Sequence, residues 1–350
     1  MILTVNPFLW NAIFAMVRKE RSEDMKKPWI KLLFLIICLP ILSYISLRVG
    51  VIAVSHEDVM TFQADGSSQA MIALADNRIP RTVVALLVGS VLGLAGLIFQ
   101  LVTRNPLASP DILAVNAGAS LAIVLVTLFG FSSIASFTTA SLIGALVAGV
   151  IVYLLSANGG NVMYMTLAGA SLAALFSSYT KSIIAYEEGA LDEVLFWLTG
   201  SVSGRSLTLV EMLLPWMAAA VILVLLLSKE LETLSLGDQV ARSLGQNVGI
   251  IKFVAVTLAV VLSAFGVALA GPIAFVGLLA PHLAKYLFGT AFFARLAGSA
   301  LIGSVLLLAA DILGRIILFP REVTVGVVLA VIGGAFFIYL VSVRQGVFKS

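Results

Sequence analysis

The sequence predicts an all-α integral membrane protein with about ten membrane-spanning helices and both termini in the cytoplasm. Hydrophobic residues make up 61% of the 350 residues and charged residues only 11%, whereas soluble domains average about 25% charged residues. Apolar runs of the roughly 20 residues that a helix needs to cross a bilayer recur along the whole chain. These runs leave no stretch for a sizeable soluble domain.

Apolar runs bounded by charged residues, glycine or proline define ten predicted spans. They cover residues 30–49, 82–102, 112–129, 134–155, 163–185, 207–228, 249–270, 272–288, 296–317 and 325–343. With both termini in the cytoplasm, 14 of the 21 basic residues fall in cytoplasmic segments, as the positive-inside rule requires. Two polar segments, 50–80 outside and 229–248 inside, are long enough to hold small helices.

Residues 1–28 form a separate N-terminal segment ahead of the transmembrane domain, 29–350. The first 17 residues are apolar, but they lack a basic start and are followed by the charged run RKERSEDMKK. We therefore expect no cleaved signal peptide and instead a short cytoplasmic or interfacial helix. The single cysteine, Cys38, excludes an intramolecular disulfide.

The chain lacks the usual signs of a membrane enzyme. No Gly-Lys-Ser or Gly-Lys-Thr triplet of a nucleotide-binding loop occurs. The two histidines, His56 and His282, fall on opposite sides of the predicted membrane, so they give no metal-ligand spacing and no arrangement of nucleophile and base. We expect neither catalytic residues nor a metal site.

Ionisable groups in spans are costly and therefore functional candidates. Asp311 and Arg315 lie four residues apart in the ninth span, where a structural ion pair explains them fully. A polar stripe on the fifth span suits the wall of a water-filled path, although hydrogen bonding between helices explains its serines equally well. It consists of Ser171, Ser178, Lys181 and Ser182. No acid is predicted at mid-membrane, which weakens the hypothesis of an ion-coupled transporter.

Two arginines on the outer side break the positive-inside trend. Arg78 and Arg81, in NRIPRTV, flank a proline where the second span begins. Anchoring to lipid phosphates is the simplest explanation. The functional alternative is bidentate recognition of carboxylates on a docking protein.

The inner segment KELETLSLGDQVARSLGQNVG is the longest polar stretch on the cytoplasmic side. Leu236-Gly237 breaks it, and a weak apolar face of Val240, Ala241 and Leu244 follows, which predicts a short helix ending at Gly245. An apolar face on a polar connector favours insertion into a soluble partner.

The segment RNPLASPD joins the second and third predicted spans at the cytoplasmic mouth. Pro106 and Pro110 stop the second helix and delay the third. Asp111 is expected to cap the third helix, whose first turn favours an acid.

Four stretches together resemble the FecCD-type permease subunits of ABC importers for iron(III)-siderophores, haem and cobalamin. They are RIPRTVVALLVGSVLGLAGLIFQLVTRNPLASPDILAVNAGA, LSLGDQVARSLG, ALAGPIAFVGLLAPHLAK and LLLAADILGR, in family order within residues 30–345. Two motifs depart from the family by losing a proline, at Glu322-Val323-Thr324-Val325-Gly326 and at Gly334-Ala335-Phe336-Phe337. The resemblance implies the cobalamin-importer-like fold of type II ABC importers.

The resemblance also implies site roles. Arg78, Arg81 and Arg315 would receive acidic side chains of an extracytoplasmic binding protein. A coupling segment, 233–247, would seat in a groove of the ATPase through Leu236, Gly237, Val240, Ala241, Leu244 and Gly245. A cytoplasmic gate would be formed by Asn105 and Leu107, with a second constriction at Asn161, Val162 and Met163.

The partners implied by the resemblance are a second permease, identical or paralogous, two ATPase subunits and a substrate-binding protein, with lipid around them and no nucleic acid. This chain would bind no cofactor and hydrolyse nothing, because ATP and Mg are bound by the ATPase. We expect a multi-pass protein of the bacterial cytoplasmic membrane that moves an iron(III)-siderophore. Haem or cobalamin transport, an ion-coupled secondary transporter and a purely structural subunit stay open as alternatives.

Overall fold

A computed structural model describes residues 28–63, 68–111, 113–131, 133–157, 162–186 and 191–347. Within these ranges the chain is helical and contains no β-strand. Ten helices correspond one to one to the ten predicted spans, which confirms the all-α prediction. They are α1 (Pro28–Arg48), α4 (Ile79–Thr103), α5 (Val115–Leu128), α6 (Ile134–Ala157), α7 (Val162–Tyr186), α9 (Leu207–Leu226), α12 (Val248–Ala270), α13 (Val276–Phe288), α14 (Phe292–Ile316) and α15 (Val325–Val347).

The remaining elements are short and lie between the spans, as the two polar segments predicted. They are α2 (His56–Met60), α3 (Gln69–Ala73), a π-helical turn (Leu74–Arg78), α8 (Leu191–Leu198), α10 (Ser228–Ser235) and α11 (Asp238–Ser243). The helix predicted to end at Gly245 is confirmed as α11, followed by Leu244 as its C-cap and Gly245 at a φ of 82°. The hypothesis for the N-terminal segment lies almost wholly outside the described residues.

Six helical stretches in the described part of the chain are long and apolar enough to cross a membrane by length and composition. Two of these stretches are the most deeply buried: Gln69–Thr103, which includes α4, and Val248–Ala270, which is α12. Helix α4 lies at the centre, packed against α12, α13 and α14. It therefore fixes the positions of residues at both of its ends relative to the rest of the bundle.

Glycines let α4 approach its neighbours closely. A Cβ atom on Gly96 would lie 1.8 Å from the carbonyl oxygen of Gly277 in α13, and one on Gly89 would lie 2.4 Å from that of Gly303 in α14. Apolar lipid gives helices no hydrophobic reason to associate, so backbone contact across small residues supplies much of the attraction.

The segment after α4 runs back into the bundle, which corrects the prediction that all of it lies at the cytoplasmic mouth. A Cβ atom on Gly277 would lie 2.8 Å from Pro110 Cδ and 3.2 Å from the carbonyl oxygen of Leu92, a residue at the middle of α4. Residues 108–110 are buried and not helical. Irregular backbone at this depth is tolerated because protein surrounds it.

Asp111 does not cap α5, so that prediction was wrong. The N-cap is Ala114, in a left-handed conformation with a φ of 61° and no side-chain cap. The Asp111 carboxylate instead accepts hydrogen bonds from the Asn116 side chain and from the backbone N–H of Phe275, which precedes α13. An acid thus lies between the N-termini of α5 and α13, where the helix dipoles favour a negative charge. The expectation that no acid lies at mid-membrane stays a prediction.

Candidate functional site

Three arginines predicted to receive a docking protein lie together at the outer end of the bundle. Arg78 ends the π-helical turn, Arg81 lies in the first turn of α4, and Arg315 lies in the last turn of α14. Their exposed fractions are 4%, 4% and 3%. The structure therefore brings the three residues together but buries them in the subunit.

Arg81 forms ion pairs with two carboxylates. Its Nε and Nη2 atoms each lie 2.8 Å from Asp311 Oδ1, and its Nη1 lies 2.5 Å from Glu322 Oε2. Asp311 also pairs with Arg315, so the predicted pair on the ninth span is confirmed. The buried carboxylate of Asp311 therefore compensates the charges of both Arg81 and Arg315. A buried charge is tolerated only when an opposite charge compensates it.

Other hydrogen bonds of this cluster go to backbone carbonyl oxygens at and just after the end of α1. Arg315 donates to the carbonyl oxygens of Ser46 at 2.7 Å and Val49 at 3.1 Å. Arg78 donates to those of Leu47 at 2.7 Å and of Ile52. Cationic donors satisfy the last carbonyls of a helix and complement its dipole. Sequence reasoning missed this capping role because the arginines are distant in sequence from α1.

A cavity of about 190 Å³ opens beside this cluster. All three arginines and Glu322 contribute to its walls, together with residues 49–52 after α1. Arg78 has only carbonyl partners among the described residues, and the side chain of Glu322 is 33% exposed. The arrangement can accept a carboxylate in place of Glu322 or beside it.

The coupling segment lies at the opposite end of the bundle. Leu236, Val240 and Leu244 are 62%, 45% and 66% exposed, whereas Ala241 is fully buried. Gly237 adopts a φ of 117°, a conformation that favours glycine, and so turns the chain between α10 and α11. Three large apolar side chains are thereby presented outward, as a partner-binding surface requires.

The gate residues Asn105 and Leu107 form a tight turn next to the coupling segment. The Leu107 N–H donates to Asn105 Oδ1 at 3.0 Å, and the Ala108 N–H donates to the Asn105 carbonyl at 3.1 Å. Both residues are partly exposed. Asn161 of the second constriction lies outside the described residues, and Val162 and Met163 begin α7.

Arg104, which sequence analysis left without a role, links the two regions. Its Nη2 lies 2.8 Å from Asp238 Oδ1, and Lys252 Nζ lies 2.6 Å from Asp238 Oδ2. A cavity of about 740 Å³ separates the end of α4 from the coupling segment and is lined by both. The sequence signal was the Asp after Gly237, but nothing in the sequence pairs it with a residue 134 positions away.

The polar stripe on α7 faces outward from this subunit, since all four of its residues are exposed. Ser178 and Ser182 donate to carbonyls of their own helix at 2.9 Å. Lys181 borders a cavity of about 420 Å³ between α5, α7 and α8. A role of this stripe in lining a path stays a prediction.

Residues 37–343 match the model of the FecCD transport family. The chain is 39% identical over 328 residues to the Fe(3+)-citrate import system permease protein YfmD of Bacillus subtilis, covering 92% of this chain and 96% of that protein. It is 40% identical over 313 residues to the ferric enterobactin transport system permease protein FepD of Escherichia coli, covering 88% and 93%.

The fold is similar to a solved structure of a metal-chelate type ABC transporter in an inward-facing conformation. The TM-score is 0.77 at 28% identity, and the match covers 89% of this chain and 98% of that one. The helices and their order are therefore shared over nearly the whole chain.

Proposed function

The chain belongs to the FecCD transport family, and on this basis we propose that it is the permease subunit of an ABC importer that moves an iron(III)-siderophore or related iron(III) chelate into the cytoplasm. Membership confirms the resemblance inferred from the four sequence stretches. The protein is a multi-pass protein of the inner membrane. It is a transport permease subunit, and the proposed function assigns it no catalytic step of its own.

The observation that supports the iron(III) chelate is the full-length similarity to permeases named for ferric citrate and ferric enterobactin. Haem and cobalamin remain the alternative cargoes in this proposal. The test is uptake by proteoliposomes containing the assembled importer, offered ferric citrate, a ferric catecholate, a ferric hydroxamate, haem and cobalamin in parallel. ATP-dependent uptake of an iron(III) chelate alone supports the proposal, whereas uptake of haem or cobalamin alone overturns it.

The proposed complex pairs this chain with a second permease, two ATPase subunits and a substrate-binding protein. No ATP or other cofactor is assigned to this chain. Hydrolysis by the ATPase biases a helix arrangement with two states and alternates access to the path. ATP bound by the purified permease without its ATPase subunits would contradict this assignment.

We propose that the outer arginine cluster receives carboxylates of the binding protein. The cavity walls and the carbonyl-only partners of Arg78 support this role. Because Asp311 needs Arg81 and Arg315, reversing those charges would damage the fold, so Arg78→Gln is the informative variant. It should weaken binding-protein affinity, whereas Arg48→Gln, at an outer arginine whose side chain does not line the cavity, should not. Equal affinity for both variants and the native chain would overturn the role.

The exposed apolar residues of the coupling segment are proposed to seat in the ATPase. Leu244→Asp should prevent co-purification of the ATPase, because a charge would replace an apolar contact at 66% exposure. Ile250→Asp, also exposed and near the cytoplasmic end of α12, is the control. Retained ATPase in Leu244→Asp would contradict the docking surface.

A further inference from the structure

The gate turn and the coupling segment, which the proposed function treats as separate regions, are joined by one ion-paired bridge. Arg104 is the C-cap of α4, directly after its last residue Thr103 and directly before the gate residue Asn105. Asp238 is the first residue of α11, directly after Gly237. Their side chains pair at 2.8 Å, and Arg104 Nη2 also lies 3.4 Å from the position of a Cβ on Gly237.

We propose that Asp238 is a positioning residue that transmits movement of the coupling segment to the gate turn through Arg104. This inference rests on the proposed function, because it assigns a connection between its coupling and gating regions. Asp238 does not contact the cargo. It acts through Arg104, whose backbone is continuous with the gate turn.

Two further features make this connection suitable for transmission. Lys252, in the first turns of α12, holds the second carboxylate oxygen of Asp238 at 2.6 Å, so the bridge is also anchored on the bundle. The cavity of about 740 Å³ leaves space between α4 and the coupling segment. The bridge therefore crosses a gap through which the two could move relative to each other.

The backbone of Arg104 supports a hinge at this point. It adopts a left-handed conformation with a φ of 49° and a ψ of 24°, which is unfavourable for a residue with a Cβ atom. Strained residues of this kind persist where surrounding contacts determine them, and they cluster in segments that switch. The contact with Asp238 is one such determinant.

The bridge is charged at physiological pH. Burial alone acts to raise the pKa of the Asp238 carboxyl, but the hydrogen bond from Lys252 and the charges of neighbouring cations hold this pKa below its usual value. The folded-state pKa is lowered, so the stabilisation is present at neutral pH and is lost only as the pH falls through the acidic range.

The test measures the gate directly in the assembled importer. Leu107→Cys in a Cys38→Ser background gives one reporter cysteine, and its maleimide labelling rate is compared without nucleotide and with ATP plus vanadate. Asp238→Asn and Arg104→Gln should each abolish the nucleotide-dependent change while the ATPase still co-purifies. Glu232→Gln, an exposed acid on α10, should retain it. The double variant should lose no more than either single variant, because both break one bridge.

The outcomes separate this inference from the proposed function. If the reporter in the otherwise native importer does not respond to nucleotide, the proposed gate is wrong. If it responds and Asp238→Asn responds equally, the gate stands and the bridge is refuted. The bridge would also be refuted if Asp238→Asn lost the nucleotide-dependent labelling change while Arg104→Gln kept it. Asp238 would then act without Arg104.

Discussion

Glu322 Oε2 lies 2.5 Å from Nη1 of Arg81, although 241 residues separate the two in sequence. Arg81 is already paired with the buried Asp311, so Glu322 is its second and more accessible carboxylate. Glu322 therefore occupies part of the cavity that we propose as the place of an incoming carboxylate. This relationship makes Glu322 a competitor in the proposed docking.

Glu322→Gln should strengthen binding-protein docking, because the amide no longer competes as an anion for Arg81. A partly exposed ion pair contributes roughly 0 to 1 kcal/mol, so the affinity should rise by up to about fivefold. The measurement is binding of the purified binding protein to the permease complex in nanodiscs. Glu57→Gln, on the same outer side in α2, should leave affinity unchanged. Weaker docking in Glu322→Gln would instead indicate that Glu322 positions Arg81.

Gly96→Ala should destabilise the bundle, since its Cβ would overlap the carbonyl oxygen of Gly277. Overpacking of this kind costs about 1 to 3 kcal/mol. Gly334→Ala in α15 is the matched control, because no heavy atom lies within 4 Å of its Cβ position and alanine favours a helix by about 1 kcal/mol. In thermal unfolding in detergent, the midpoint temperature of Gly96→Ala should lie below that of the native chain and that of Gly334→Ala above it. Equal midpoints would contradict the close α4–α13 contact.

Asp111→Asn tests whether the acid between the N-termini of α5 and α13 moves protons. The amide keeps an oxygen that can accept the Phe275 N–H, so the fold should survive while the ionisable group is lost. An ATP-driven importer should retain most of its uptake of radiolabelled ferric chelate, and a protonophore should not change it. Abolished uptake in a folded variant, together with sensitivity to the protonophore, would favour ion coupling.

Ser178→Cys in the Cys38→Ser background should form crosslinks with a short bismaleimide to a second permease that has a cysteine at the facing position, which an identical partner carries and a paralogue receives by substitution. The residue lies on the exposed face of α7, where a polar stripe facing lipid would be costly. Phe34→Cys in α1, at 65% exposure on an apolar helix, is the lipid-facing control. Crosslinks at both positions or at neither would count against a subunit interface at α7. The mass of the crosslinked product distinguishes an identical partner from a paralogue.

The local features could be predicted because they depend on neighbouring residues. The start of α4 around Pro80, the turn at Gly237 and the four-residue spacing of Asp311 and Arg315 all follow from backbone preferences and helix geometry. The inward course of residues 108–111 could not be predicted from them. A proline shows where a helix stops but not where the chain goes afterwards, and here contact with Gly277 directs it.

The sequence by itself determined the membrane location, about ten helical spans and the family, because hydrophobic length and motif order are properties of the chain. The orientation inferred from the charge asymmetry stays a prediction. Only the tertiary structure decided which charges compensate one another. Arg81 meets Asp311 and Glu322, and Arg104 meets Asp238, across 134 residues or more. Side-chain electrostatics acts over a few ångströms in space, and the packing of α4 at the centre of the bundle sets those distances.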